Sequence, residues 1–171
     1  MFNDVAVSIR CLQLERLIHR AVVIDCDVHQ GNGTAAIFAG DPSVFTFSMH
    51  GARNFPFAKT ESDLDVALSD GVQDDEYLAK LHSVLDNRLP LEDCEFVFYL
   101  AGADPFCDDR LGRMGLTKSG LAKRDRLVIE SSVARRIPIV IVMAGGYADA
   151  VEDIVDIHFA TVEIAAKAAT R

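Results

Sequence analysis

Residues 22–33 read VVIDCDVHQGNG, and this stretch decides how the fold is interpreted. An apolar, β-branched run ends in the pattern Asp-x-Asp-x-His, and a turn bounded by glycines follows. Because side chains two apart on a strand share a face, Asp25, Asp27 and His29 are expected to point the same way. Ligands of open α/β sheets bind at the carboxyl ends of the strands, so two carboxylates and an imidazole there provide most of a zinc-type site. A strand followed by an ordinary polar turn is the simpler alternative.

The composition is that of a globular domain with a substantial core. The chain has 171 residues, of which 50% are hydrophobic and 25% are charged. Its net charge of −9 argues against a nucleic-acid surface, which would need a basic face. No apolar run is long enough to span a membrane, and the first residues lack the features of a signal peptide. We therefore expect a single domain over residues 1–171 that binds neither nucleic acid directly nor a membrane.

The four cysteines are interpreted as reduced thiols. They are Cys11, Cys26, Cys94 and Cys107, and no two of them form a CxxC pair. This spacing argues against both a disulfide framework and a structural zinc knuckle. It predicts a cytoplasmic protein.

Four short apolar runs predict buried parallel strands, at residues 21–24, 44–48, 96–101 and 137–143. They are continuously hydrophobic, as expected when helices cover both faces of a sheet. Helices are predicted at about 3–19, from 74 to a stop at Pro90, at 117–136, and from about 149 to the chain end. Residues 51–71 are predicted to be an irregular surface loop near the crevice. The alternation indicates a three-layer α/β/α fold with a mostly parallel sheet.

A second polar cluster, AGADP at 101–105, follows the third predicted strand. Asp104 lies just beyond the carboxyl end of that strand, as Asp27 does beyond the first. With Asp27 and His29 it would give a metal three protein ligands and leave a position open for water or a substrate oxygen, as in catalytic sites. A simple turn at Asp104 is the alternative.

The fourth predicted strand is followed by AGGY at residues 144–147. Gly145 and Gly146 allow a close backbone approach or a positive φ. They would bring the Tyr147 phenol to the rim of the crevice, where it can donate a hydrogen bond to an oxyanion developing on a metal-bound carbonyl. A glycine turn with an incidental tyrosine is the alternative.

The order of these motifs resembles the zinc-dependent histone deacetylase family, within the arginase/deacetylase fold. The sequences DVHQGNG at 27–33, AG at 101–102 with DRLG at 109–112, and GLAKRD at 120–125 look like the class IV branch and its bacterial relatives. The resemblance runs from residue 2 to beyond Tyr147. It implies a hydrolase in which metal-activated water attacks the carbonyl of an acylated, for example acetylated, lysine, polyamine or similar amide.

The resemblance also implies roles for individual residues. Asp27, His29 and Asp104 would hold Zn²⁺, and Tyr147 would polarise the acyl carbonyl as the catalytic residue.

Two further groups of residues acquire roles in the same way. Asp25 and the Ser48 hydroxyl would bind a structural monovalent cation, with K⁺ as the candidate ion. The backbone carbonyls of Met49 and of two zinc ligands would share that cation. Gly145 and Gly146 would line the acyl channel.

The chain departs from the family in one respect that affects catalysis. The family has a tandem histidine pair that handles the proton of the zinc water, and it lies upstream of the segment that residues 2–4 match. The 171 residues contain no His-His pair. General-base assistance is commonly worth about 10²–10⁴ in rate. We therefore expect a domain that is incomplete at its N-terminus, an impaired deacylase activity, and a sheet with an exposed edge and apolar surface.

Three alternatives remain open at this level. A non-catalytic remnant that binds a metal or a partner is favoured by the missing histidine pair, whereas the intact ligands and Tyr147 favour an enzyme. An arginase-type binuclear metal hydrolase would need further acids and a second histidine ligand, and the lone Asp104 fits it less well. A receiver-like domain with a phosphoacceptor Asp25 or Asp27 would leave His29 without a role.

Overall fold

A five-stranded parallel sheet forms the centre of the computed structural model, which describes residues 2–170. The strands are β1 Ala21–Asp25, β2 Val44–Gly51, β3 Leu64–Leu68, β4 Phe96–Gly102 and β5 Ile139–Ala144. Their order is β3-β2-β1-β4-β5, and all four pairings are parallel. Met1 and Arg171, the ends of the predicted single domain, lie outside the described residues.

Helices cover both faces of this sheet, which confirms the predicted three-layer architecture. They are α1 Asp4–Leu14, α2 Asn32–Phe38, α3 Asp74–Asn87, α4 Lys118–Ala134 and α5 Val151–Ala169, with a 3₁₀ turn at Leu91–Asp93. Alternate residues of β1 contribute to two cores. Val22 and Ile24 pack with α3 and α4, whereas Ala21 and Val23 pack with α1 and α2. Helix α4 also contacts both α3 and α5.

Two of the helix boundaries follow from local hydrogen bonds. The Asn3 side chain caps α1 by accepting a 2.9 Å bond from the Ala6 N–H, and Thr117 caps α4 by accepting from the Gly120 N–H at 3.0 Å. Helix α1 ends at Leu14, several residues before the predicted end, because Arg16 adopts a left-handed conformation that closes it.

One strand and one helix differ from the sequence prediction. Strand β3 lies within the stretch 51–71 that was predicted to be irregular, where it pairs with β2 from Phe47 opposite Leu64. Its five residues, LDVAL, alternate between buried and more exposed positions and follow a polar segment. The sequence therefore contains no continuous apolar run there that would indicate a strand. The short helix α2 was also missed, because it has seven residues and no side-chain cap.

The sheet exposes an edge and apolar surface, as the sequence predicts, and the last helix exposes a further apolar face. Strand β5 is an edge strand, and Met143 in it is 61% exposed. Helix α5 carries an exposed apolar stripe, which consists of Val151, Val155, Phe159 and Val162. Within residues 2–170, no helix has the length and apolar character needed to cross a membrane.

Candidate metal centre

The segment that follows β1 carries two of the candidate ligands. Strand β1 ends at Asp25, so Asp27 and His29 lie on irregular backbone, and the argument from strand alternation is wrong for them. Two local bonds shape the segment instead. Asp25 Oδ1 accepts from the Asp27 N–H at 3.0 Å, and Asp27 Oδ1 accepts from the His29 N–H at 2.8 Å. These Asx-type turns hold both side chains at the carboxyl end of the strand.

The third candidate ligand comes from the neighbouring strand. Asp104 follows β4, which pairs with β1 in parallel with Asp25 opposite Leu100. Its side chain is fully buried, and its Oδ1 accepts a 2.8 Å hydrogen bond from the Val28 N–H. Because Val28 lies between Asp27 and His29, this bond ties the two ligand-bearing loops together.

The structure brings these three side chains into one cluster. Asp27, His29 and Asp104 each offer a ligand atom, and these atoms all lie within 4.8 Å of one another. His29 Nδ1 is 3.0 Å from Asp27 Oδ1 and 3.2 Å from Asp104 Oδ2. Apart from this contact with His29, the buried Asp104 Oδ2 has no hydrogen-bond partner among the described residues. A buried carboxylate oxygen with one imidazole as its only neighbouring partner is poorly compensated, and a cation would satisfy it. Two carboxylates and an imidazole fit a zinc-type ion.

The electrostatics of the cluster also favour a cation. The carboxylates of Asp104 and Asp27 raise the pKa of His29 to about 10. Burial raises the pKa of Asp104 to about 6. Burial, together with the nearby charge of Asp27, also raises the pKa of Asp25 well above its ordinary value. Three acids therefore share a poorly solvated site in which a positive charge is stabilised.

The cluster opens into a cleft with a volume of about 550 Å³. The cleft is lined by the three candidate ligands, by Gly145 and Tyr147, and by residues of two loops, namely Arg53, Asn54, Phe55, Phe57, Leu111 and Arg113. The sequence predicts that residues 51–71 lie near the crevice, but it gave us no role for their aromatic side chains. The motif NFPF in an otherwise polar stretch was the available signal, and Phe57 is 86% exposed there.

The glycine turn after β5 brings Tyr147 to this cleft. Gly145 has a φ of 58°, and a Cβ at that position would overlap the Asp104 carboxylate, so only glycine fits. Tyr147 is 50% exposed and lines the cleft. Gly146 is not among the residues that line the cleft. The position where its Cβ would be points towards Ile154.

The residues assigned to a monovalent cation lie beside this centre. Asp25 and Ser48 are opposite each other in the pairing of β1 with β2, and Met49 follows in β2; all three are buried. Ser48 Oγ accepts from the Gly31 N–H at 3.4 Å and lies 3.0 Å from His50 Nδ1. The register thus places the Asp25 carboxylate and the Ser48 hydroxyl on adjacent strands.

One family model and several curated relatives match this chain in sequence. The family model described as "Histone deacetylase domain" matches residues 1–162. An uncharacterized protein of Picosynechococcus sp. is 45% identical over 158 residues, which are 92% of this chain and 53% of that protein. Histone deacetylase 2 of Arabidopsis thaliana is 33% identical over 85% of this chain and 38% of its own length. The chain thus spans about half the length, or less, of these curated relatives.

Solved structures match the fold over nearly the whole chain. An acetylpolyamine aminohydrolase from Burkholderia pseudomallei superposes with a TM-score of 0.80 at 21% identity, covering 96% of this chain and 49% of that one. A histone deacetylase homologue from Aquifex aeolicus gives a TM-score of 0.78, also at 21% identity, covering 96% of this chain and 46% of that one. At this identity the likeness shows the fold alone, and it confirms the predicted fold class.

Proposed function

The chain belongs to the histone deacetylase domain family, and on this premise we propose that its metal centre serves a zinc-dependent hydrolase reaction that removes acyl groups from lysine-type amides. The family consists of deacetylases, which are amide hydrolases, and it implies a metal cofactor. The choice of zinc, the substrate and the activity of these 171 residues are parts of the proposal.

One observation carries the proposal. Apart from the imidazole of His29, which lies 3.2 Å away beside the carboxylate of Asp27, the buried Asp104 Oδ2 has no hydrogen-bond partner within residues 2–170. The three residues would hold the ion, and three protein ligands facing a cleft leave room for a reacting oxygen, as in catalytic rather than structural zinc sites. The centre is mononuclear in this proposal, because the described residues contain a single such group of three ligands.

The chain's own residues would share the work of catalysis. A zinc ion bound there would supply Lewis acidity and lower the pKa of water. The phenol of Tyr147 would donate a hydrogen bond to the carbonyl oxygen on which negative charge develops. One such donor is worth about 10²–10³ in rate. Gly145 would line the acyl channel, and Phe55 and Phe57, which line the same cleft, would shield the acyl group from water.

Proton transfer is the weak part of this centre. The sequence has no His-His pair, and the cleft lining includes one histidine, the proposed ligand His29. His50 is buried between Ser48 and Asp65, and burial lowers its pKa, so it is not placed to serve the cleft. We therefore propose that this chain alone turns over slowly. The same observation favours a second candidate function, a metal-binding module that does not catalyse.

The remaining assignments extend the proposal. Asp25, Ser48 and the Met49 carbonyl would hold K⁺ as a structural ion, which is supported by the burial of all three beside the zinc ligands. An acylated lysine or polyamine suits a chain with a net charge of −9, because a second amine on the substrate would be attracted to it. The cytoplasmic location stays a prediction, to which the four free cysteines add support.

Turnover of an acetyl-lysine reporter peptide and of an acetylated polyamine tests the function. We expect the parent chain to hydrolyse these substrates slowly. Removal of zinc should abolish this activity, and Tyr147→Phe with zinc present should lower the rate below that of the parent. A rate that is indifferent to zinc and to Tyr147 would not come from this site and would favour the non-catalytic module.

A further inference from the structure

A buried arginine lies directly behind the candidate metal centre. Arg124 of α4 has no exposed surface. Its Nη1 donates a 2.6 Å hydrogen bond to the Gly102 carbonyl and a 3.3 Å bond to the Cys26 carbonyl. Cys26 immediately precedes Asp27 in the chain. One guanidinium nitrogen therefore binds both backbone segments at the points where they leave β1 and β4.

The segments that Arg124 joins are those that carry the metal ligands. Gly102 stands two residues before Asp104, and a Cβ at Gly102 would overlap the Asp27 backbone. The two loops therefore run in van der Waals contact at this point. A shift of either carbonyl would move Asp27 relative to Asp104.

The arginine is itself held in one orientation. Asp125 Oδ1 accepts a 2.8 Å bond from Arg124 Nε and lies 2.7 Å from Nη2. The hydroxyl groups of Tyr99 in β4 and Thr161 in α5 both donate to the Asp125 carboxylate at 2.5 Å. Three elements thus fix the planar guanidinium, which can present its donors in only one arrangement.

Stability alone does not account for this pair. Replacing a buried ion pair by apolar residues of similar volume is often neutral or even stabilising. Leu121 and Val128, which lie three and four residues away on the same helix, are buried apolar side chains. An apolar residue at 124 could fill the same space, but it could not bond the two carbonyls.

We propose that Arg124 is a positioning residue of the metal centre, which sets the distance between Asp27 and Asp104 by holding the carbonyls of Cys26 and Gly102. This inference rests on the proposed metal site and extends it to a residue that does not touch the ion. Metal–ligand distances tolerate about 0.2 Å, and residues that orient ligands typically contribute 10–100-fold to metal affinity.

The test measures Co²⁺ binding by the full 171-residue chain, with the visible absorption of the ion as a signature of its coordination geometry. The double variant Arg124→Met/Asp125→Asn removes both buried charges together, and the asparagine offers an oxygen to one of the two hydroxyl groups and an amide donor to the other. We expect it to bind Co²⁺ about 10–100-fold more weakly and with an altered spectrum. Val128→Ala is the matched control, because it removes buried volume from the same helix without touching any bond of Arg124 or Asp125, and it should bind as the parent does.

Arg124→Lys is a second, independent test of the proposal. Its ammonium group keeps the charge, but a single nitrogen cannot bind Asp125 and both carbonyls at once. Its Co²⁺ affinity should fall between those of the parent and the double variant. A folded double variant with parental affinity and spectrum would overturn the proposal. If the double variant does not fold, parental Co²⁺ binding by Arg124→Lys would overturn it instead. A parent chain that binds no Co²⁺ would remove the metal centre itself, and the role of Arg124 with it, which separates the two failures.

Discussion

The Tyr147 N–H donates a 2.6 Å hydrogen bond to Oδ2 of Asp109, which fixes the glycine turn against the loop after β4. The other oxygen of Asp109 accepts from the N–H groups of Leu111 and Gly112, at 2.8 and 2.7 Å. From the opposite side, Arg110 Nε donates to the Tyr147 carbonyl at 2.9 Å. The backbone of the proposed catalytic tyrosine is therefore held on both sides by one short loop.

Asp109→Ala should destabilise the chain, because three N–H groups lose their buried acceptor. We expect the free energy of unfolding in urea to fall by about 2–4 kcal/mol. Asp108→Ala is the control, since Asp108 is exposed, and it should change the stability by less than about 0.5 kcal/mol. Equal stabilities of the two variants would show that the Asp109 bonds do not hold the turn.

Gly145→Ala should damage both stability and metal binding. The new methyl group would overlap the Asp104 carboxylate, and the backbone φ of 58° is strained for any residue with a Cβ. We expect a loss of more than about 1 kcal/mol in unfolding free energy together with weaker zinc binding.

Gly33→Ala provides the contrast. Gly33 lies in α2 with open space where a Cβ would be. The same substitution there should stabilise the chain by about 0.5–1 kcal/mol and leave zinc binding unchanged. If Gly145→Ala behaves like Gly33→Ala, the close approach of the turn to Asp104 is wrong.

The stability of the chain should fall on acidification through His158. Burial lowers the pKa of His158 from its ordinary value of 6.5, although a backbone bond to Gly145 opposes the shift. The charge of Arg124 lowers the pKa further, and the charge of Asp125 raises it. The unfolded chain then binds more protons than the folded chain, so His158 favours folding fully above pH 6.5 and progressively less below it. Urea unfolding between pH 8 and 5 should show a steeper loss for the parent than for His158→Gln. If the unfolding free energies of the parent and of His158→Gln fall equally over that pH range, the lowered pKa of His158 is wrong.

Much of the site could be predicted from the sequence because its motifs follow apolar runs. Asp27, His29 and Asp104 were chosen since each comes just after a predicted strand, and the structure brings them within reach of one ion. The stated reason was partly wrong, because β1 ends at Asp25 and hydrogen bonds within the loop, not strand alternation, orient the two ligands that follow.

The supporting residues could not be predicted in the same way. An arginine in a helix such as α4 is normally exposed, and only the packed structure shows that Arg124 is buried against two loops distant in sequence. Asp109 looks like one acid among several in a polar turn until Tyr147 is placed beside it. Strand β3 was missed because its short alternating segment depends on its pairing with β2 rather than on its own hydrophobicity.

The zinc content of Asp104→Asn tests the central claim most directly. The asparagine keeps an oxygen for the Val28 N–H, so the loop contact survives while the buried charge is removed. The parent chain, loaded with zinc and freed of excess ion, should retain about one equivalent, and the exposed-site variant Asp108→Ala should retain the same amount. Asp104→Asn should lose most of its zinc while its circular dichroism stays that of the folded chain. A folded Asp104→Asn that keeps the parental zinc content would contradict the account.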